Sequence, residues 1–272
     1  RFFFFFSAGD HGQVSVQAPC PDTLAILERG IDMIYKTLLA VHGVFGLVAL
    51  VTYWLAASAK KGSPWHRSVG KTYLLSMLGI VLTAAPMAVI VAISGRTGIA
   101  TFLAYLVVIT ATSMWLGWRS IKRKDDQAAF RDHAYLIVAV LNLVASAATL
   151  AIGVRTAQPL LMGFSAVGFV GGAQMLARRA RPFASARWWL REHYAAMLGC
   201  GVATHIAFLA IGSNSLIRMT GIDPPAWYSL LAWFLPLVVS LFAGVWLSRK
   251  YRLRSSDLNP RMPLAQTMGG RA

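Results

Sequence analysis

The sequence predicts an all-α, polytopic transmembrane bundle of about seven helices. Three observations carry this. First, 57% of the 272 residues are hydrophobic and only 13% are charged, about half the charge of an ordinary soluble domain. Second, the apolar residues fall into runs close to the length that crosses a bilayer. Third, the basic residues sit in clusters that alternate between successive linkers.

Taken in order, the apolar runs are 33–58, 72–94, 99–120, 135–154, 160–178, 194–213 and 229–248. Span one is preceded by Pro21-Asp22-Thr23, a helix start with Asp22 or Thr23 as cap. The segment to Asp32 reads as an outer, partly amphipathic extension. Span two contains Pro86 and span seven Pro236, each expected to kink its helix. Span three ends in Trp115 and Trp118, amphipathic rings suited to a membrane interface. Span four carries Asn142 and span five Gln174, both read as interhelical hydrogen bonders. Gly163, Gly168, Gly171 and Gly172 in span five, with Gly199 and Ala203 in span six, permit close helix approach. The domain reading is an outer N-terminal segment 1–32, a membrane domain 33–248 and a basic tail 249–272. The chain begins at Arg1. The run Phe2 to Phe6 is too short to span and fits the tail of either a removed signal sequence or an earlier helix.

Charge sets the expected orientation. Lys60, Lys61, Arg67 and Lys71 lie between spans one and two, and Arg119, Lys122, Arg123, Lys124 and Arg131 between three and four. Arg178, Arg179, Arg181, Arg187 and Arg191 lie between five and six. Arg249, Lys250, Arg252, Arg254, Arg261 and Arg271 follow span seven. One side thus holds 20 of 26 basic residues. The positive-inside rule places the N-terminus outside and the C-terminus in the cytoplasm. The expected location is the bacterial cytoplasmic (inner) membrane, crossed several times. The net charge of +16 comes from these topology clusters and forms no nucleic-acid-binding face, so nucleic acid is not an expected partner.

Candidate chemistry rests on histidine. All ten acidic residues fall outside the expected hydrocarbon core, which disfavours ion-coupled transport and carboxylate-assisted metal hydrolysis in the membrane. Two cysteines, Cys20 and Cys200, offer neither a disulfide framework nor a haem c or iron–sulfur motif. His42 and His205 count to roughly 12–14 Å below the outer surface at 1.5 Å per residue. Neutral imidazoles at one depth are what a b-type haem needs as axial ligands; the alternative reading of both is hydrogen-bonded packing between helices. His66, His133 and His193 each open a span beside arginine, in Trp65-His66-Arg67, Arg131-Asp132-His133 and Arg191-Glu192-His193. That ring suits a second haem, with Arg67 and Arg131 pairing propionates, or else a quinone, an anionic head group or a phospholipid.

His42-Gly43, followed by Trp65-His66-Arg67-Ser68-Val69-Gly70-Lys71-Thr72-Tyr73, resembles an uncharacterised family of bacterial membrane proteins (domain of unknown function 2306). The family pattern has a His-Gly in one helix and His-Arg-x-x-Gly-Arg-x-Tyr entering the next. Lys71 replaces the usual arginine. The resemblance covers about the first four spans, and His133 matches the family's later histidine. No established activity comes with it. His66-Arg67-Ser68-Val69-Gly70 is also similar to short segments of membrane cytochromes b and ferric-reductase-like proteins. The expected function is therefore electron transfer by an integral membrane protein holding haem b, exchanging with a quinone or an outer-side acceptor. His42, His205, His66 and His133 are the expected metal ligands, with His193 in reserve. The alternatives are a non-enzymatic transporter or lipid-binding protein, and an accessory subunit of a larger membrane complex.

Overall fold

The computed structural model describes residues 21–251 apart from 182, 184, 186, 223 and 224. The tail and the N-terminal aromatic run lie outside these residues. Among the described residues the elements are all helical: α1 Pro21–Ser58, α2 Pro64–Ile93, α3 Thr97–Lys122, a short α4 Gln127–Phe130, α5 His133–Arg155 and α6 Pro159–Ala180. Then come α7 Trp188–Ile206, a π-helical stretch Ala207–Ser213, α8 Asn214–Met219 and α9 Ala226–Lys250. Seven helical stretches are long and apolar enough to cross a membrane, with α7, the π stretch and α8 forming one. The protein is a multi-pass membrane protein.

The helix ends follow local chemistry. Ser63 caps α2 by accepting from the His66 amide at 3.1 Å, with Pro64 opening the helix where its missing N–H costs nothing. Asp126 caps α4 and Asp132 caps α5, accepting from the amides of Ala129 and Tyr135. Gly62 and Gly95 take positive φ in two tight reversals. Pro86 and Pro236 both sit inside continuous helices.

α1 packs on α2, α2 on α3 and α5 on α6, and α3 is the hub, meeting α2, α5 and α7. α7 in turn meets α1 and α9. Polarity is distributed as a bilayer demands. Leu241 and Phe242 point outward at 66% and 73% exposure, whereas Ser120, Asn142, Ser146 and Thr149 are buried between helices. Their hydroxyls and amides are satisfied there: Asn142 donates to Thr112 Oγ1 across α5 and α3 at 2.7 Å, and Ser146 to its own helix. Gln174, expected to bridge helices, instead accepts from Arg178 on its own helix at 3.2 Å.

Candidate functional site

One end of the bundle gathers the arginines and is called the basic end here. Its two central hairpins are closed by ion pairs. Asp132, which opens α5, meets Arg119 of α3 at 2.7 Å, and Arg119 also donates to the Phe130 and Ala129 carbonyls. Glu192, in the first turns of α7, meets Arg178 of α6 at 2.7 Å and is buried. The Arg-Asp-His and Arg-Glu-His repeat thus has a structural meaning. Its acids tie α5 to α3 and α7 to α6.

Arg131, expected to pair a propionate, is tied to the end of α6. Its Nη1 donates to the carbonyls of Arg178 and Arg181 at 2.9 Å, closing the end of α6, and its guanidinium stacks on Phe183. His133 is the first residue of α5 and is exposed. Arg67 is exposed on the first turn of α2.

The expected pairing of His42 with His205 across one plane is not what the helices build. His42 Nδ1 lies 2.9 Å from Thr83 Oγ1 on α2. The Thr83 hydroxyl spends its single hydrogen on its own helix, at Gly79 O 2.7 Å away, so His42 is the donor to it. His205 instead meets Trp54, whose indole N–H donates to His205 Nε2 at 3.0 Å. Trp54 stands twelve residues beyond His42 on α1, roughly 18 Å along the axis. α2 agrees: Tyr73, bonded to Thr204 beside His205, is ten residues and roughly 15 Å from Thr83.

His205 also has no nitrogen to spare. Its Nδ1–H donates to Gly201 O at 2.7 Å while Nε2 accepts from Trp54, which fixes a neutral tautomer with both nitrogens used. Tyr53 and Trp54 pack edge-on to its ring at 5.2 and 5.5 Å. Close approach here depends on Gly201, where a Cβ would stand 2.5 Å from the Tyr53 ring. The arrangement is an interhelical lock between α1 and α7, and the residues present do not fit a haem held by His42 and His205 together.

His66 and His193 behave differently. His66 Nδ1–H donates to Ala56 O at the end of α1, at 3.0 Å. His193 Nδ1–H donates to Gly117 O on α3, also at 3.0 Å. A carbonyl can only accept, so both rings carry their proton on Nδ1 and present the Nε2 lone pair. An imidazole oriented by its far N–H in this way is the usual state of a metal-bound histidine. His66 and Lys61 are within electrostatic reach of His193, and Lys250 is within reach of Lys61. Lys61 Nζ reaches back to the carbonyls of Ala56 and Ala57 at the end of α1. Partial burial, and next the charge of Lys250, hold the Lys61 ammonium below the usual lysine range.

This second constellation therefore joins α1, α2, α3, α7 and α9 at the basic end. Sequence reading placed His66 there but paired it with His133. In the structure His66 and Lys61 are the groups within electrostatic reach of His193, with Lys250 beyond Lys61. Among the described residues no group of three or more histidine, cysteine or acidic side chains could hold a metal ion. Two imidazoles flanked by lysines are a poor cage for a bare divalent cation, whose charge the ammonium groups oppose. A haem asks for less. It needs two axial nitrogens, brings the other four itself, and carries propionates that ammonium groups can pair. No family model matches the chain, and no curated protein or solved structure matches it either.

Proposed function

We propose that this is a membrane electron-transfer protein whose redox group, a b-type haem, is held at the basic end by His66 and His193. The carrying observation is the pair of Nδ1–H bonds to Ala56 O and Gly117 O, which orients both Nε2 atoms, neither of them hydrogen-bonded among the described residues. Haem would supply the one-electron chemistry. The chain's own groups would fix its ligands as neutral imidazoles and offer Lys61, Lys250 and the nearby Arg67 to its propionates. The similarity of His66-Arg67-Ser68-Val69-Gly70 to segments of membrane cytochromes b supports the same ligand. In this reading the basic end faces the cytoplasm of a bacterial inner membrane, and electrons pass to or from a quinone or an outer-side acceptor. The detergent-purified protein is expected to show a Soret band whose visible bands sharpen on dithionite reduction. Protein purified from haem-supplemented cells that still shows no Soret band overturns the proposal.

One observation favours a second reading. Lys61 and Lys250 stand near each other beside two imidazoles, and such a cluster also suits a small anionic ligand in a non-enzymatic carrier. That reading expects anion binding lost in Lys61→Gln and a featureless visible spectrum.

A further inference from the structure

We infer that the basic end carries a built binding site for the phosphate group of an anionic phospholipid, separate from the histidine cluster. A groove of about 540 Å³ opens between α4 and the last turns of α6, lined by Ala128, Arg131, Leu176, Arg179 and Ala180. Its two arginines are cross-braced. Arg131 donates to the carbonyls of Arg178 and Arg181, while Arg179 donates from Nη1 to the carbonyls of Arg131 and Asp132. Both guanidiniums are therefore held in place by backbone, at little further entropic cost on binding a ligand. Among the described residues neither makes an ion pair. Asp132 is paired with Arg119, and Glu192 with Arg178. A guanidinium has five N–H donors, and the bonds found for Arg179 use Nη1 alone.

The groove's place in the fold selects a lipid over a soluble anion. α6 crosses the membrane and ends at Ala180, so Arg179 stands at head-group level and Leu176, one turn deeper, offers an apolar wall to the glycerol and first acyl carbons. At the end of α3, whose Arg119 holds α4 through Ala129 O and Phe130 O, Trp118, Arg119, Lys122 and Arg123 line a second basic groove. Trp118 is half exposed there, as an interfacial ring should be. Basic pockets between transmembrane helices are recurrent sites for anionic head groups.

Native mass spectrometry of the full chain, released from nanodiscs of mixed phosphatidylglycerol and phosphatidylcholine, tests this directly. The wild type is expected to retain phosphatidylglycerol selectively. Arg179→Gln is expected to lower that retention about fivefold, the worth of one basic residue at a membrane surface. Arg179→Lys should restore most of it, and Leu176→Trp, which fills the groove without touching charge, should lower it as well. In a Cys20→Ser background, burial of Cys200 against a maleimide reports that each variant is folded. Equal retention of the two lipids, unchanged retention in both Arg179→Gln and Leu176→Trp, or displacement of the lipid by inorganic phosphate alone would each overturn the assignment.

Discussion

Removing either partner of the Arg178–Glu192 ion pair should destabilise the protein, and the two losses should be unequal. The Glu192 side chain is 3% exposed and that of Arg178 is 25% exposed. Arg178→Ala strands a buried carboxylate, and breaking a buried pair in this way costs about 3–5 kcal/mol. Glu192→Ala strands a cation that keeps Gln174 Oε1 at 3.2 Å and can reach solvent along its flexible stem, so about 2 kcal/mol is expected. Replacing both, as Arg178→Met with Glu192→Leu, removes the charges together and should cost about 1 kcal/mol or less. Cys200, fully buried, gives the assay. In a Cys20→Ser background, maleimide labelling along an SDS titration reads the unfolded fraction, and each 1.4 kcal/mol changes the folded-to-unfolded ratio about tenfold. Equal losses for the two single variants, or a double variant that loses their sum, would refute the claim that the pair is buried and coupled.

Three further outcomes follow from the same packing. Trp54→Phe and His205→Phe should each cost about 1–2 kcal/mol and together no more than the larger loss, because they break one interhelical bond; additive losses in the SDS titration would contradict the lock. Gly168→Ala should cost about 1–3 kcal/mol, since its Cβ would stand 2.2 Å from Ser146 Oγ and 3.0 Å from Tyr105 Oη, and Ser146→Ala should recover part of that. Gly117→Ala meets only the flexible end of Met197 nearer than 3.5 Å and should cost less, so the reverse order counts against the packing described. Lys61 is a cation whose proton is held less tightly in the folded state than in the unfolded chain. Stability should therefore rise with pH from its lowered pKa toward the ordinary lysine value of 10.5. Lys61→Met should flatten that slope, and an unchanged pH profile would contradict the partial burial of Lys61 and, after it, the influence of Lys250.

The fold was legible because bilayer physics writes itself into composition. Apolar runs give the helices, and sparse charge gives their ends. Helix depth was not legible for His42 and His205. Counting inward from the end of an apolar run assumes that all runs begin at one plane. α1 has 38 residues, roughly 57 Å of helix, and begins at Pro21, well before the run that starts at 33. On the other side, the count back to His205 crosses the π-helical stretch Ala207–Ser213, where more residues are used per turn. Both offsets displaced the expected depth. Trp54, the actual partner of His205, lies 151 residues away in sequence, and nothing local announces it. The Arg-Asp-His and Arg-Glu-His repeat was visible, but its acids pair with arginines in the preceding helices. That pairing turned an expected ring of ligands into two structural staples. His66 and His193 remained as candidates because each is oriented by a carbonyl on another helix, a fact only the packing supplies.

The central claim is that His66 and His193, not His42 and His205, hold the redox group. The most direct test is the dithionite-reduced minus oxidised absorption spectrum of the four single alanine variants beside the wild type, each purified with its measured haem content. The account predicts that the wild type, His42→Ala and His205→Ala keep their haem bands, while His66→Ala and His193→Ala lose them with Cys200 still protected. Bands that survive in His66→Ala and His193→Ala but vanish in His205→Ala, or a wild type without haem bands, would contradict it.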